Sequence, residues 1–406
     1  MAFRILCLVE EGGYASDLLA ARMGGLESRD AGLAEEIVLG SLRLQGQLDF
    51  LIGHFSGRPA ARLDPEVRVA LRMGIYQMRY LERVPAHAAV SESAELVKQA
   101  RKRSAVGFVN AVLRKVGREP VAWPDRATEL SHPAWLLERW ERQYGEELAA
   151  RIARANLETP ETYVRGPLPD GTVNECPHRL NACATGDRNR STWHRPSACV
   201  GRASEGEFEA TDVPGCYRLL GGDARGLRIQ DIGSQSIVPL LELEPGQTFL
   251  DVAAAPGNKT AQALESGVRA VACDRNFNRL APMRALGCGL VVLDGTQPLP
   301  FRARFDRILV DAPCSGTGTL ARNPEIKWRL RPADLPEFQA RQASLLKNAL
   351  ERLAPGGRLV YSTCSLEREE NEGVVEQAPA RVLRLWRRLP GQDAGDGFFA
   401  AVLTSE

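Results

Sequence analysis

Two cysteines of this chain, Cys314 and Cys364, lie in loops whose composition suits chemistry at a sulfur atom. Cys314 follows an acid, Asp311, and precedes a glycine-rich stretch that ends at Gly318. A thiolate is a strong nucleophile that can form and release a covalent bond with a substrate. A single cysteine is more often a small buried residue with no catalytic role. Because two cysteines occupy two such loops, the pair predicts covalent catalysis in this part of the chain.

From about residue 223 the chain alternates short apolar runs with helix-like segments. Such runs with helical connections are typical of a parallel sheet that is covered on both faces. Ligands of these sheets bind beyond the carboxyl ends of the strands, and four of the five runs end in an aspartate. The two cysteines also follow two of the runs, so thiols and aspartates are predicted at one sheet edge. The five predicted strands are 248–252, 270–274, 290–294, 305–311 and 357–362.

The first predicted strand runs into a loop of small residues that suits a bound cofactor. Small side chains let the backbone approach a ligand closely, and free N–H groups at the start of a helix favour an anionic group. Asp274 comes about 23 residues after Asp251, where an acid can accept hydrogen bonds from ribose hydroxyls. The loop lacks the glycine spacing of a dinucleotide fingerprint, which favours S-adenosylmethionine over a nicotinamide cofactor. It consists of Ala253, Ala254, Ala255, Pro256, Gly257, Asn258 and Lys259.

The amino-terminal region, to about residue 120, has apolar residues at helical spacing and no strand-like alternation. This pattern predicts a small all-helical domain. A further helical pattern runs from about residue 132 to 157, with aromatic residues on its apolar stripe. Aromatic residues on such a stripe are more often core than ligand-binding groups. A basic stretch between Lys98 and Arg118 indicates either a solvated helix face or a surface for nucleic acid.

Residues 166 to about 208 differ in composition from the rest of the chain. They are rich in proline, glycine, arginine, asparagine, serine and threonine, and they show no periodic apolar pattern. Their cysteines and histidines lack the paired spacing of structural zinc sites, so the sequence predicts no metal site. It predicts a poorly ordered segment instead. The residues considered as zinc ligands are Cys176, His178, Cys183, His194 and Cys199.

Composition limits the class of protein without identifying a partner. Of the 406 residues, 44% are hydrophobic and 25% are charged, which is ordinary for a globular protein. No apolar stretch approaches the ~20 residues of a membrane-spanning helix, so no membrane partner is expected. Nine cysteines without paired spacing or an export signal predict reduced thiols in a cytoplasmic protein. The net charge of +1 leaves nucleic-acid binding open, because a basic face can lie within a neutral total.

Several motifs resemble the signatures of the Sun/RsmB (Fmu) family of ribosomal RNA cytosine-5 methyltransferases. The motifs occur in a specific order and cover both ends of the chain. The resemblance implies an α/β Rossmann-like S-adenosylmethionine methyltransferase domain with a mostly parallel sheet, preceded by an all-α NusB-like domain. The motifs of the catalytic part are 251–260, 311–318, 323–328, 361–365 and 396–399, and the NusB-like stretches are 83–92 and 107–115.

The resemblance also implies a role for the motif residues. Cys364 matches the family's attacking thiol, which adds to carbon 6 of a cytosine and activates carbon 5 toward a methyl group. Cys314 matches the second cysteine, which assists loss of the carbon 5 proton and release of the enzyme. Asp311 would hold the base edge and offset charge developing on the ring. The implied cofactor residues are 253–259 for methionine and ribose, Asp274 for the ribose, Asp294 near the adenine, and Asp311.

Three features depart from the family pattern. Ala253 stands where many relatives have a cysteine, and Asn258 stands where they have a second glycine. Residues 162–165 resemble the start of a small RNA-binding subdomain and 211–218 its end, but the residues between them do not resemble it. Two main hypotheses follow, an active RNA cytosine-5 methyltransferase and a catalytically impaired RNA-binding protein of the same fold. A nicotinamide-dependent oxidoreductase on this fold is a third hypothesis, which no glycine spacing supports.

These observations together predict three parts of the chain. Residues 1–125 are expected to form the helical RNA-binding domain, and residues 223–406 the methyltransferase catalytic domain. Residues 126–222 are expected to form a helical linker and an atypical, poorly ordered remnant of an RNA-binding subdomain. The expected partner is RNA, specifically small-subunit ribosomal RNA, and the chain is expected to act as a monomer.

Overall fold

The computed structural model describes residues 1–168, 173–174 and 206–405, apart from Met23, Arg83 and Arg225. The predicted all-helical region is confirmed, because seven α-helices and no strand occur among the described residues up to about 120. Their apolar faces pack into two buried clusters. The helices are α1 (Ala2–Glu10), α2 (Ala15–Arg22), α3 (Ser28–Arg43), α4 (Gln45–Ser56), α5 (Pro65–Tyr80), α6 (Ala86–Gln99) and α7 (Val106–Leu113).

Helix α5 carries much of the buried surface of this helical part, and its Leu71 and Ile75 are fully buried. Pro65 occupies the first turn, where a missing N–H has no helical partner to lose. Gly40 of α3 lets the ring of Tyr76 approach the helix backbone, because any Cβ there would overlap the ring. Close packing of α3 on α5 therefore depends on one small residue.

The helical pattern after residue 132 forms two helices rather than one. Helix α9 (Ala134–Tyr144) and helix α10 (Glu146–Ala155) follow the short α8 (Arg126–Glu129). Gly145 separates α9 from α10 with a φ of +82°, a conformation that favours glycine. The aromatic stripe is core as predicted, since Trp140 is fully buried. No helix among the described residues has both the length and the apolarity needed to cross a membrane.

A small sheet follows, and the two flanks of the atypical segment pair within it. Strand β1 (Tyr163–Arg165) is antiparallel to β4 (Cys216–Gly221) and to β5 (Arg228–Ile229). β3 (Glu207–Ala210) pairs with β4 and with the two-residue β2 (Val173–Asn174). The prediction that residues 166 to about 208 are poorly ordered is therefore wrong at the carboxyl end of this segment, because Phe208 is a fully buried residue of β3. All five cysteines and histidines considered as zinc ligands lie outside the described residues.

The carboxyl-terminal part is a seven-stranded, mostly parallel sheet, and the predicted fold class is confirmed. All five predicted strands occur. The strands are β6 (Thr248–Asp251), β7 (Arg269–Asp274), β8 (Gly289–Val292), β9 (Phe305–Asp311), β10 (Leu353–Thr363), β11 (Arg381–Arg388) and β12 (Phe398–Thr404). Their order in the sheet is β11-β12-β10-β9-β6-β7-β8. Only β12 runs antiparallel to the strands beside it, β10 and β11. The helices are α11 (Ile232–Gln235), α12 (Asn258–Leu264), α13 (Phe277–Leu280), α14 (Ile326–Arg329), α15 (Leu335–Leu350) and α16 (Glu372–Val375).

Candidate active site

The two cysteines singled out in the sequence meet at the carboxyl edge of the sheet. β9 and β10 are parallel neighbours with Asp311 opposite Ser362, so the loops that follow them lie side by side. The Sγ atoms of Cys314 and Cys364 are 3.3 Å apart, within sulfur hydrogen-bond distance. Residues 50 positions apart in the sequence thus form one pair of thiols.

Glycines allow the two cysteine loops to approach each other this closely. The Gly318 N–H donates to the Cys364 carbonyl at 2.8 Å, and the Gly397 N–H donates to the Gly318 carbonyl at 2.7 Å. A Cβ on Gly318 would lie 2.8 Å from the Cys364 carbonyl oxygen and would overlap the Gly397 backbone. Residues from three separate motifs therefore form one backbone layer beneath the thiols.

A buried carboxylate, Glu370, joins the two loops from below. Its Oε1 accepts from the Ser315 N–H at 2.8 Å and from the Gln342 side-chain amide at 2.9 Å. Its Oε2 accepts from the hydroxyls of Ser315 and Ser365, the residues that follow the two cysteines. Sequence reasoning missed Glu370, although the acidic run that begins three residues after Cys364 was a signal. One fully buried side chain thus holds both loops.

The contact between the two thiols changes the acidity of Cys314. The interaction with Cys364, followed by burial, raises the pKa of Cys314 well above its ordinary value. Cys314 therefore keeps its proton at neutral pH, and either sulfur can be the hydrogen-bond donor in the contact between them.

Asp311 connects the thiols to the cofactor loop predicted from the sequence. Its Oδ2 accepts from the Lys259 ammonium at 2.7 Å, and its Oδ1 accepts from the Ser362 hydroxyl at 2.8 Å. Lys259 was expected only as a cofactor residue, but the structure pairs it with Asp311. The salt bridge joins the first turn of α12 to the end of β9.

The cofactor loop, residues 253–259, follows β6 and runs into the first two residues of α12. The Ala254 N–H donates to the Cys273 carbonyl at 2.7 Å, and the Ala255 N–H donates to the Asp274 carboxylate at 3.3 Å. Gly257 has a φ of +104°, and a Cβ there would lie 2.9 Å from the Met283 side chain. The course of this loop is therefore set by contacts of its backbone with the Cys273 carbonyl, the Asp274 carboxylate and the Met283 side chain.

Three acids lie at or just after the ends of β6, β7 and β8, and they differ in solvent exposure. Asp251 is buried beneath the loop, accepts from the Thr260 hydroxyl at 2.6 Å, and has its pKa raised to about 7 by burial. Asp274 is 8% exposed and accepts from the Asn276 N–H at 2.8 Å. Asp294 is exposed, and hydrogen bonds from Thr296 lower its pKa. The structure thus places the predicted acids along one edge, with Asp294 at its open end.

The loop that contains α14 carries the contact between the catalytic part and the amino-terminal helices. The Nζ of the buried Lys327 donates to the Arg43 carbonyl at 2.8 Å, and the Trp328 indole donates to the Leu42 carbonyl at 2.9 Å. In return, the Arg43 guanidinium donates to the Ala321 carbonyl at 2.8 Å. Sequence reasoning identified residues 323–328 as a landmark but did not predict this contact.

Comparison with known proteins agrees with the fold and with the order of the motifs. Residues 238–384 match the model of the family "16S rRNA methyltransferase RsmB/F", and residues 1–118 match that of the NusB family. "Ribosomal RNA small subunit methyltransferase B" of Klebsiella pneumoniae (strain 342) is 32% identical to the chain, over 98% of it and 95% of the relative. The protein of the same name from Erwinia tasmaniensis is 31% identical over 98% of the chain and 96% of the relative.

Solved structures share the fold at lower identity. The crystal structure of PH0851 covers 99% of this chain and 97% of its own, with a TM-score of 0.76 and 20% identity. A methyltransferase homologue from Pyrococcus horikoshii covers 70% of this chain and 100% of its own, with a TM-score of 0.52 and 24% identity. The near-full-length relatives and the two family models lead to one conclusion. The chain belongs to the RsmB/F family of methyltransferases, whose methyl donor is S-adenosylmethionine.

Proposed function

We propose that this chain methylates carbon 5 of a cytosine in small-subunit ribosomal RNA, with Cys364 as the covalent nucleophile. The observation that carries the proposal is the pair of thiols, 3.3 Å apart at the ends of neighbouring strands and beside Asp311. The RNA substrate is taken from the names of the relatives, which are small-subunit ribosomal RNA methyltransferases. Carbon 5 of cytosine is a weak nucleophile, so a reaction there benefits from a covalent step.

The residues at the carboxyl ends of β6, β7 and β8 suit S-adenosylmethionine. Carboxylates of Asp274 and Asp294 can accept hydrogen bonds from ribose hydroxyls and an exocyclic amine. Phe277, three residues after Asp274, is 56% exposed, and Val292, two residues before Asp294, is 51% exposed. They provide an apolar surface against which an adenine ring can lie. When bound, the cofactor supplies an electrophilic methyl group.

In the proposed mechanism, Cys364 releases its proton to water and the thiolate sulfur forms a bond to carbon 6 of the cytosine. The electron pair of the 5,6 double bond moves to carbon 5, which then takes the methyl group. Asp311 holds the base edge and is itself oriented by Lys259 and Ser362. Loss of the carbon 5 proton restores the double bond and releases Cys364 as a leaving group.

Cys314 suits the role of the base that takes the carbon 5 proton. Before the reaction, its interaction with Cys364 is the largest cause of its raised pKa. That cause disappears once Cys364 is bonded to carbon 6, because a thioether sulfur carries no negative charge. Cys314 can then release its own proton to water and accept the one from carbon 5.

The parts of the chain outside the catalytic domain suit RNA binding. We propose that residues 1–125 form an RNA-binding domain, that 126–222 link it to the catalytic domain at 223–406, and that the chain acts as a cytoplasmic monomer. Pairing of β1 with β4 and β5 supports a sheet that persists on both sides of the atypical segment. Sedimentation of the purified chain, alone and with RNA, tests the oligomeric state.

Methyl transfer from labelled S-adenosylmethionine to unmethylated small-subunit ribosomal RNA tests the reaction. We expect transfer by the wild type, no transfer by Cys364→Ala, and a trapped protein–RNA adduct with Cys314→Ala, because the adduct forms but does not resolve. Cys288→Ala, at a half-buried cysteine outside the two loops, is the matched control. Cofactor binding without transfer to any RNA would instead support the catalytically impaired RNA-binding protein.

A further inference from the structure

A cavity of about 520 Å³ opens beside the two thiols, and its wall includes a residue of the amino-terminal helices. Tyr14 comes from the turn between α1 and α2, and it lines this cavity together with Cys314 and Cys364. The volume is in the range of ~300–1,000 Å³ typical of ligand pockets. No residue of the cofactor loop, 253–259, is part of the lining. The cavity therefore lies on the substrate side of the thiols.

The turn that carries Tyr14 is tied to the catalytic part on both sides of this residue. Arg329 donates to the carbonyls of Val9 and Gly13, at 2.6 Å each. The Ala15 N–H donates to the buried Glu325 carboxylate at 3.0 Å. Hydrogen bonds to charged groups contribute more than neutral ones, so this turn is held firmly against α14.

The Tyr14 ring itself remains available although its backbone is held. The guanidinium of Arg329 lies 5.4 Å from the ring centroid, over the ring. The residue nevertheless stays 57% exposed. An isolated exposed aromatic residue is common on protein surfaces and needs no explanation. This one differs because it is fixed in place at the mouth of a cavity that contains the proposed nucleophile.

The lining of the cavity has a second aromatic ring and a second cation, Phe338 and Arg341. Phe338 of α15 is half-buried, with the Arg341 guanidinium 5.9 Å from its centroid. The two acids at this rim are neutralised by arginines, Asp334 by Arg331 and Glu337 by Arg341. Aromatic rings with neighbouring arginines are the groups on which unpaired nucleic-acid bases stack.

We propose that Tyr14 stacks on the base of a nucleotide adjacent to the target cytosine, so that the helical domain completes the RNA site. The inference rests on the proposed function, because it assumes that the target cytosine reaches Cys364. A base that leaves its stack to enter such a pocket deprives its neighbours of a stacking partner. An aromatic ring beside the pocket replaces that partner. The helical domain therefore recognises RNA at the reacting centre as well as away from it.

Binding of the full chain to a small-subunit ribosomal RNA transcript, measured by fluorescence anisotropy, tests the inference. We expect Tyr14→Ala to raise the Kd about 5- to 150-fold, since stacking on an aromatic ring contributes ~1–3 kcal/mol per base. Tyr14→Phe keeps the ring and is expected to bind like the wild type. Because Tyr14 is exposed, we expect all three proteins to fold, and matching thermal melting curves check this.

Transcripts with an abasic site on either side of the target cytosine separate stacking from indirect effects. We expect one of the two abasic transcripts to bind Tyr14→Ala and the wild type equally, because the ring has lost its partner. Equal Kd values for all three proteins on the intact transcript would overturn the inference. A loss with Tyr14→Ala that persists on both abasic transcripts would also overturn it. Absence of methyl transfer by the wild type refutes the proposed function, while the anisotropy comparison of Tyr14→Ala with Tyr14→Phe still decides the stacking.

Discussion

The two halves of the sheet edge differ in how their residues are held. In the thiol half, beyond β9 and β10, Glu370 is fully buried and accepts hydrogen bonds from both cysteine loops. In the cofactor half, beyond β6, β7 and β8, Asp294 and Phe277 are exposed. The thiol half is held by a buried hydrogen-bond network, whereas part of the cofactor half is exposed to solvent.

The difference corresponds to the two tasks of the proposed reaction. A covalent step requires two sulfur atoms and a carboxylate within a few tenths of an ångström of their working positions, which buried hydrogen bonds can maintain. A cofactor that must enter and leave in each turnover requires access. The Lys259–Asp311 salt bridge is a contact that crosses from one half to the other. Variants in the thiol half should therefore change kcat, and variants in the cofactor half should change cofactor affinity.

The largest expected effect is that of Glu370→Gln in the thiol half. The amide keeps the size of the side chain but places a donor where the carboxylate accepts, so the two loops lose part of their common support. We expect kcat for methyl transfer to fall about 10²-fold and the free energy of unfolding to fall by about 1–3 kcal/mol. Steady-state kinetics and urea unfolding measure both quantities.

Glu376→Gln is the matched control, because that side chain is largely exposed and pairs with the exposed Arg368. It should leave both quantities unchanged. The Kd for S-adenosylmethionine should stay close to the wild-type value in both variants. An equal loss of cofactor affinity in Glu370→Gln would contradict the division of the edge into two halves.

An intermediate effect is expected from Asp251→Asn, beneath the cofactor loop. The folded protein holds the pKa of Asp251 at about 7, above the value of 3.8 for an unperturbed aspartate. The folded state therefore binds the proton more tightly, so the contribution of Asp251 to stability is complete below about pH 4 and is lost as the pH rises through 7. Between pH 5 and 8 the wild type should lose about 2–3 kcal/mol through this group, and Asp251→Asn should not.

Urea unfolding at pH 5 and pH 8 measures this difference. Asp306→Asn is the contrasting control, since hydrogen bonds from Thr248 lower the pKa of Asp306 and keep its titration outside this pH range. An equal pH dependence for Asp251→Asn and the wild type would show that Asp251 is ionised in the folded protein.

The smallest expected effect is that of Asp294→Asn at the open end of the cofactor half. This side chain is exposed, so water competes for any hydrogen bond that it makes with a ligand. We expect the Kd for S-adenosylmethionine to rise less than about tenfold, as measured by titration calorimetry, with no change in kcat. A large fall in kcat at saturating cofactor would mean that the open half also positions the reacting groups.

Most of the fold could be predicted from the sequence, because strands and helices are encoded by local periodicity. The five predicted strands and the amino-terminal helices all occur where the apolar patterns place them. The break at Gly145 was missed because a glycine inside a helical pattern is usually tolerated, and the φ of +82° is visible only in the structure. The strand at residues 207–210 was missed because its place in a sheet depends on non-local pairing. Its partner β4 also pairs with β1, which lies on the other side of the atypical segment.

The amino-acid sequence by itself determined which residue types stand at the ends of the strands, since motifs are local and a strand ends where its apolar run ends. Only the tertiary structure decided which of those residues meet. The 3.3 Å contact of Cys314 with Cys364, the burial of Glu370 beneath both, and the place of Tyr14 beside them join residues distant in the sequence. Such contacts depend on the register of β9 against β10 and on the docking of α14 onto the amino-terminal helices, which no local pattern encodes.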